Sequence, residues 1–368
     1  MKNSWRPVVI LAAVVISLAV IMIIGFYLLQ REPDLTGGTR LLVQVVTDDV
    51  LEQELVQDAA RIGRELQSRG IVFAASGKGA NYSVDISGVE PGRDSDVRSL
   101  CDQLYPQKYV VRSTAAEGRT SYSLSLPPDY IRQVRESTVN QAAEAIRRRL
   151  NALGIRGPAV LPAGKNVNGV QDQLVIEFPK VNDPERVVEL ITDVARLELC
   201  LVKKEQGGPF PSIEVALRAN GGKVPGGYKL IPFRVEGNEP GAASYLVVEL
   251  APTITSKDMK NARPSTDSSG RPNVAFFLTA AGAEIFRRAT GEHIGDRLAI
   301  VLDNVVYSAP VIESAIGAEG QITGSFTAQQ AEDLALLLRS GSLPASITVL
   351  ERSIISPKEK DETRSDKK

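Results

Sequence analysis

Apolar and polar positions divide the chain into one uniform run and a long patterned part. Residues 7–29, "PVVILAAVVISLAVIMIIGFYLL", carry no charge, and a helix of this length crosses the roughly 30 Å of bilayer hydrocarbon. The run is longer than the apolar core of a signal peptide, so an uncleaved anchor is favoured over a cleaved leader. Lys2 and Arg6 precede it, which predicts a cytoplasmic N-terminus and a periplasmic remainder of a single-pass inner (cytoplasmic) membrane protein.

From residue 39 onward the pattern alternates between strand and helix periods. A strand-like run is followed by Leu51, Leu55 and Leu66 at helical spacing, then by strand-like runs at 71–75 and 82–86, a helix and a strand. The same order returns at once. We therefore predict an α+β fold with two ferredoxin-like βαββαβ repeats, at about 39–113 and 121–203, in a periplasmic base of residues 31–203.

The second half of the patterned part predicts another subdomain. Its first segment is rich in Gly, Pro and Ser, which indicates loops. Regular elements follow: Thr279 is placed to cap a helix, "AIVLDNVVYSAPVI" predicts a hairpin turning at Asp303–Asn304, and Thr327 with Gln330 forms a capping box. The resulting divisions are a head at 204–341, a closing strand at 342–352 and a charged, disordered tail at 353–368.

Charge and cysteine content narrow the classes of protein. The 43 Lys and Arg residues balance 44 Asp and Glu residues, for a net charge of −1, so nucleic acid is not an expected partner. Cys101 and Cys200 would lie in an oxidising compartment, where a disulfide is permitted. Cys101 and Cys200 also stand in apolar segments that suit buried thiols. The sequence therefore does not decide whether they form a disulfide.

Nothing in the sequence indicates a catalytic or metal centre. His293 is the single histidine, and one histidine forms neither a triad nor a metal cluster. Phosphate-binding, nucleophile-elbow and zinc-protease motifs do not occur. Asp303 follows a strand but stands beside Asn304, which favours a turn residue over an acid or a metal ligand. We expect no enzyme activity and no cofactor; the pattern favours a protein that binds an extended peptide.

Several motifs resemble one known family. "DLTGGTRLLVQV" opens the patterned part, "AIRRRLNALGIRGPAV" lies in the second repeat, and "RLAIVLDNVVYSAPVI" and "GQITGSFTAQQAEDLALLLRSGSLPASITVLERSI" lie in the last third. In this order they resemble the SecD family of bacterial protein-export membrane proteins, over its first transmembrane helix and first periplasmic domain.

The resemblance implies a function and its residues. In that family the head moves relative to the base and is thought to hold polypeptide that emerges from the export channel. By resemblance, Asp34, Leu35, Gly37 and Gly38 form a membrane-proximal motif. Leu302, Asp303, Ala309 and Pro310 form a head motif that binds polypeptide. The partners it implies are SecF-like and SecYEG-type translocase subunits and unfolded polypeptide.

The sequence departs from the family in two places. Members continue into further membrane helices that carry ionisable residues, whereas "LERSIISP" runs into the charged tail; the expectation is a chain that does not by itself couple to the proton gradient. The family's Glu-Pro is replaced by Arg156-Gly157-Pro158. An alternative hypothesis is a SecD-derived envelope adaptor that no longer acts in translocation, and the neighbouring reading frames would discriminate the two.

Overall fold

The computed structural model of this mixed α+β protein describes most of the patterned part of the chain. The predicted membrane segment 7–29, Asp34 and Leu35 lie outside the described residues, as does the chain from residue 356 onward. Within the described residues, no helix combines the length and apolarity that a membrane crossing requires. The described ranges are 37–116, 118–163, 171–233, 244–324 and 326–355.

Helices and strands alternate along the described ranges. The α-helices are α1 (Thr47–Ser68), α2 (Asp94–Leu104), α3 (Pro128–Ala152), α4 (Pro184–Thr192), α5 (Ile213–Ala219), α6 (Ala280–Glu292) and α7 (Ala328–Ser340). The first eight strands are β1 (Thr39–Val45), β2 (Ala75–Lys78), β3 (Ser83–Val89), β4 (Val110–Ala116), β5 (Arg119–Ser125), β6 (Ala159–Pro162), β7 (Gln173–Phe178) and β8 (Leu197–Leu201). The others are β9 (Tyr228–Phe233), β10 (Ser244–Glu249), β11 (Ile254–Thr255), β12 (Met259–Thr266), β13 (Pro272–Leu278), β14 (Leu298–Leu302), β15 (Val305–Ser308), β16 (Glu319–Ile322) and β17 (Ile347–Ile354).

The strands form four sheets, two in each half of the molecule. Base sheet 1 has the order β17-β1-β7-β6, and base sheet 2 has the order β2-β3-β5-β4. Head sheet 1 has the order β10-β9-β15-β14-β8-β11, and head sheet 2 has the order β12-β13-β16. We call the part that carries the first two sheets the base and the part from β8 to α7 the head.

Pairing in the base crosses between the two predicted repeats. β1 pairs with β7, from Thr39 opposite Phe178 to Gln44 opposite Gln173, while β5 pairs with β3 and β4. The helices follow the same exchange, because α1 packs on base sheet 2 and α3 packs on base sheet 1. The element order βαββαβ occurs twice, but each base sheet contains one strand of the other repeat. β1 of the first repeat lies in base sheet 1, and β5 of the second repeat lies in base sheet 2. The ferredoxin-like duplication therefore remains a prediction.

Two strands near the predicted boundaries have other partners than the sequence suggests. β8, expected as the last strand of the second repeat, pairs with β14 and β11 in the head. β2 covers Ala75–Lys78, whereas the sequence predicts a strand at 71–75. β2 lies at the edge of its sheet and pairs with β3 alone. Its sequence, "ASGK", lacks the alternation of apolar and polar residues that identifies a strand, so the sequence pattern does not locate it. The residue limits of the predicted base, head and closing strand therefore remain predictions.

Local signals position several elements as predicted. The hydroxyl of Thr279 accepts a hydrogen bond from the Gly282 amide at 3.1 Å and begins α6. Thr327 and Gln330 form the predicted capping box of α7. Each polar side chain satisfies backbone N–H groups that the first helical turn leaves without partners. Packing then orients the helices, since α6 and α7 bury Phe286 and Leu334 in one core with head sheet 2.

The two cysteines lie in separate cores as free thiols. Cys101 belongs to the base core under α1, and Cys200 belongs to the core of head sheet 1. Burial raises the pKa of the Cys101 thiol to about 11 and that of the Cys200 thiol to about 12. Because the thiolate is the reactive form, the folded protein should hold both in an unreactive state.

We expect a thiol-specific disulfide reagent at pH 8 to label neither cysteine in the native chain. The same reagent should label both after denaturation without prior reduction, since the structure holds two free thiols. Counting released chromophore before and after addition of denaturant measures this. Fast labelling of the native protein would contradict the buried positions, and no labelling after denaturation would indicate a bridge.

Candidate functional site

The predicted head motif lies on one hairpin but at its two opposite ends. Asp303 and Asn304 turn between β14 and β15 with φ of 48° and 63°, so both central residues are left-handed, as in a type I′ turn. This confirms the predicted hairpin. Leu302 and Asp303 stand at the turn, whereas Ala309 and Pro310 follow the far end of β15 and line a pocket. The four residues therefore do not form one site.

The turn of this hairpin contacts the connection between base and head. The Arg196 amide donates to Asp303 Oδ1 at 2.8 Å, and the Asp303 amide donates to the Arg196 carbonyl at 3.0 Å. The chain enters the head at residues 193–196 and leaves it at 340–343, and the Leu343 amide bonds the Val194 carbonyl at 2.9 Å. We call these two segments the base–head junction.

A buried arginine on α3 joins both segments of the junction. Arg149 Nη1 donates to the carbonyls of Leu190, at 2.9 Å, and Asp193, and Nη2 donates to the carbonyl of Gly341 at 3.0 Å. The residue is fully buried. Burial lowers the pKa of this guanidinium to about 10, and the nearby carboxylates of Asp193 and Asp303 oppose that effect. Arg149 therefore binds backbone carbonyls on both sides of the connection to the head.

Sequence reasoning missed Arg149, although a signal was present. It is the last of three consecutive arginines, which look like a charged surface. Helical spacing places it three residues after Ile146 and seven after Ala142, on the apolar face of the helix. A charged residue on such a face indicates a buried polar contact.

Asp303 has an unusual electrostatic environment at the junction. Asp303 is exposed as a residue, but its Oδ1 is engaged by the Arg196 amide. Partial removal of the carboxyl from water and the neighbouring Asp193 carboxylate raise the pKa of Asp303. Its hydrogen bond from the Arg196 amide and the Arg196 charge act in the opposite direction. Asp303 is thus a carboxyl whose neutral form is favoured by folding, beside the buried guanidinium of Arg149.

Replacing Asp303 by Asn should reveal this environment as a pH dependence. A raised folded-state pKa of an acid stabilises the folded chain below the ordinary pKa of about 4, and this stabilisation is lost as pH rises through the folded pKa. Asn keeps the acceptor oxygen and suits the left-handed turn. We expect the melting temperature of Asp303→Asn minus that of the parent to rise as the pH increases above about 4.

The control for this experiment is Glu313→Gln, which changes an exposed carboxyl of the same head. Differential scanning fluorimetry across the pH range measures both variants. A flat difference for Asp303→Asn, or one that falls with rising pH, would contradict the assigned environment.

A cleft with a mixed polar and apolar lining runs between base and head beside the junction. Its volume is about 1240 Å³. α3 contributes Gln133, Ser137 and Gln141 to one wall, while Glu198 and Lys257 of the head contribute to the other. These side chains are polar and of both charge signs, so they offer hydrogen bonds, while Val134, Leu343 and Pro344 add apolar surface.

The head pocket beyond β15 is smaller than the cleft. Its volume is about 410 Å³, and Phe233, Tyr307, Ala309 and Pro310 contribute to its walls. The Tyr307 ring stacks on the Phe326 ring, with centroids 6.1 Å apart and planes 11° apart. Of the predicted head motif, Ala309 and Pro310 are therefore the half that lies at a pocket of ligand size.

The glycine motif near the predicted membrane segment ties the two ends of the base together. The Gly37 amide donates to the Ile355 carbonyl at 2.8 Å, and the Ile355 amide donates to the Gly38 carbonyl at 2.9 Å. Gly37 has φ of 73°, a left-handed angle that glycine adopts without a Cβ penalty. The two glycines thus extend the pairing of β1 with β17, and their role toward a membrane remains a prediction.

The described residues show no cluster of three or more His, Cys, Asp or Glu side chains that could hold a metal ion. His293 Nδ1 lies 3.0 Å from Asp296 Oδ2, and that carboxylate also pairs with Lys204 at 3.4 Å. His293 ends α6 and contributes to a surface ion-pair network rather than to a pocket.

Two family models match separate stretches of the chain. A model of the SecDF P1 head subdomain matches residues 230–345, and a model of the N-terminal P1 domain of protein translocase subunit SecDF matches residues 139–204. The protein translocase subunit SecD of Koribacter versatilis is 32% identical over 88% of this chain and 59% of its own length. The SecD subunit of Aquifex aeolicus is 32% identical over 97% of this chain and 65% of its own length.

A solved structure of SecDF, described as a membrane component that enhances protein export, is 33% identical. The match covers 58% of this chain and 92% of that chain, with a TM-score of 0.44. The two family models describe the P1 domain of a protein translocase subunit, with a head subdomain. The chain belongs to the SecD family of protein translocase subunits. It spans about three fifths of the length of the relatives that it matches.

Proposed function

We propose that this chain serves as an accessory subunit of Sec-dependent protein export, and that its head and base bind unfolded or emerging polypeptide on the outer face of the membrane. The observation that carries the proposal is the match to SecD relatives across both base and head, at about the same identity in two distant relatives. The head pocket and the cleft between base and head supply places where an extended chain can lie.

Two finer parts of this proposal concern placement and partners. We propose that residues 7–29 anchor the chain in the inner membrane with a cytoplasmic N-terminus, so that Gly37 and Gly38 lie next to the membrane surface. SecF-like and SecYEG-type subunits are the proposed partners, since relatives of this family are translocase subunits. The proposed role is binding, with no catalytic residue and no cofactor assigned.

The first test of this function is site-specific crosslinking in cells. A photoreactive amino acid at Thr323, on the exposed rim of the head pocket, should crosslink to an exported protein arrested midway through translocation. A matched position at Ser121, on the exposed surface of the base, should give weaker crosslinks to the same substrate. Absence of crosslinks to the arrested chain and to translocase subunits would overturn the proposal.

A further inference from the structure

One end of base sheet 1 gathers the ends of all four of its strands. β1 begins there at Thr39, which lies opposite Phe178 of β7 and Ile354 of β17. β6 begins at the same end with Ala159. The base–head junction lies at the opposite end of β17, whose first residue is Ile347. We call the end of the sheet away from the junction the base rim, formed by residues 156–159, 178–180 and 354–355.

The base rim exposes apolar surface together with two cations. Ile354 is 77% exposed, the largest exposed fraction of any large apolar side chain in the described ranges. Arg156 and Lys180 are also exposed, and neither side chain forms an ion pair within those ranges. The rim also holds the departure found in the sequence, where Arg156-Gly157-Pro158 replaces the family's Glu-Pro. This end of the sheet therefore carries a cation where the motif would supply an acid.

Acidic side chains of the neighbouring segments have partners of their own. Glu177 pairs with Arg40 at 3.6 Å, and Glu185 of α4 pairs with Arg352. The side chain of Asp183 accepts a backbone amide at the start of α4. The two cations of the base rim are therefore available to an anionic group from outside the chain.

The chain reaches the base rim directly from the predicted membrane anchor. The charge-free run ends at residue 29, and Gly37 and Gly38 continue β1 beside Ile355. Residues 30–36, which lie between, can span at most about 25 Å when fully extended. An anchor in the membrane would therefore keep the rim within about 25 Å of the end of its span, on the side of the base away from the head.

We propose that the base rim docks on the outer lipid leaflet of the inner membrane, with Ile354 inserted among the lipids and with Arg156 and Lys180 bound to phosphates of anionic headgroups. Apolar insertion and attraction to anionic lipid are the two contributions that hold a protein surface at a membrane interface. The inference rests on the proposed function, from which it takes the anchoring of residues 7–29, and deepens it by giving the base a lipid partner. The contact would hold β17 upright and the junction about 25 Å above the lipid, the length of an eight-residue strand.

The test uses a fluorescent label on the full chain in lipid nanodiscs. Ile354→Cys carries the label, and the two native cysteines stay unlabelled because both are buried. The discs contain phosphatidylglycerol and phosphatidylcholine in equal parts, with spin-labelled lipid as the quencher. Lipid contact should make quenching at residue 354 at least about twofold stronger than at Leu350→Cys. Leu350 is the matched control, because it is 45% exposed and lies on the same strand, about 14 Å from Ile354.

Changing the two cations tests the part of the proposal that concerns the headgroup. Arg156→Gln combined with Lys180→Gln should lower quenching at residue 354 about twofold in the anionic discs and leave it unchanged in discs of phosphatidylcholine alone. The control combines Lys223→Gln with Lys260→Gln, which removes two exposed cations of the head, and should change neither value. Added salt should weaken the effect of the anionic lipid, since exposed charges are screened. The melting temperature should equal that of the parent in both double variants, because the substituted side chains are exposed.

Failure of the rim contact and failure of the proposed anchoring give different results. If the chain elutes with the discs but residues 354 and 350 are quenched alike, anchoring stands and docking of the rim is refuted. If the chain does not elute with the discs, anchoring itself is refuted, and the rim contact with it. Strong quenching at residue 354 that the two cations do not affect would overturn the binding of lipid phosphate. Stronger quenching at 354 that depends on both cations and on phosphatidylglycerol supports the whole proposal.

Discussion

Replacing Arg149 by Met should lower the free energy of unfolding by about 3–5 kcal/mol, the cost typical of removing one member of a buried charged network. The guanidinium bonds the carbonyls of Leu190, Asp193 and Gly341. Met fills a similar length but donates no hydrogen bond, so these carbonyls lose their charged donor inside the protein. Both chain segments of the base–head junction would be affected together.

The neighbouring arginine provides the control. Arg148 is exposed, and its Nε donates to the Ser340 carbonyl at 3.0 Å. Arg148→Met should therefore cost about 1 kcal/mol or less, the net value of a single hydrogen bond. Denaturant unfolding measures both variants, and limited proteolysis should show faster cleavage near residues 193–196 in Arg149→Met alone. Equal losses in the two variants would refute the role of Arg149 at the junction.

Replacing Lys108 by Met should cost about 2–4 kcal/mol, somewhat less than for a fully buried pair because the site retains slight solvent contact. Lys108 Nζ pairs with Glu54 at 2.7 Å and with Asp58, and the Lys108 and Asp58 side chains are only 13% and 10% exposed. The ammonium also lies 4.9 Å from the Tyr105 ring centroid and 5.3 Å from that of Tyr109. Without it, two carboxylates of α1 remain close together with reduced access to water.

Two tyrosine hydroxyls also bind the carboxylates of the cluster around Lys108. The Tyr109 hydroxyl donates to Asp58, and the Tyr130 hydroxyl, from α3, lies 2.6 Å from Glu54. Burial, followed by these carboxylate contacts, raises the pKa of both tyrosines above the ordinary range. The cluster therefore connects α1, the segment before β4 and the start of α3, and its loss should loosen all three.

The control for Lys108 is a similar pair at the surface. Lys78 pairs with Glu52 at 2.7 Å, but the two side chains are 36% and 51% exposed. Lys78→Met should change stability by less than about 1 kcal/mol, as exposed pairs do. Adding Asp58→Asn to Lys108→Met should recover part of the loss, since it removes one uncompensated charge. No recovery in the double variant would indicate that packing of the lysine stem, and not charge, dominates.

Local features of this protein were predictable because they depend on neighbours in the sequence. Thr279 and Thr327 begin helices by binding amides within the next turn, and Asp303 with Asn304 forms a turn that their own backbone angles favour. Helix limits followed from apolar spacing for the same reason. These interactions need no knowledge of the remaining chain.

The candidate sites were less predictable, because they arise where distant segments meet. The resemblance groups Leu302 and Asp303 with Ala309 and Pro310 in one motif, and the structure places the first pair at the hairpin turn and the second pair at a pocket beyond β15. The three segments of the base rim look in sequence like ordinary strand ends. They reach one end of base sheet 1 only once β6, β7 and β17 join that sheet.

The sequence by itself determined the α+β class, the caps, the hairpin turn and the resemblance to SecD, since each is written in local residue order. Only the tertiary structure decided that β1 and β5 exchange sheets and that β8 belongs to the head. The alternation of apolar and polar residues predicts which face of a strand is buried, but it does not predict which strand lies beside it. Likewise, helical spacing placed Arg149 on a buried face, while the carbonyls that it binds come from segments that meet only in the folded chain.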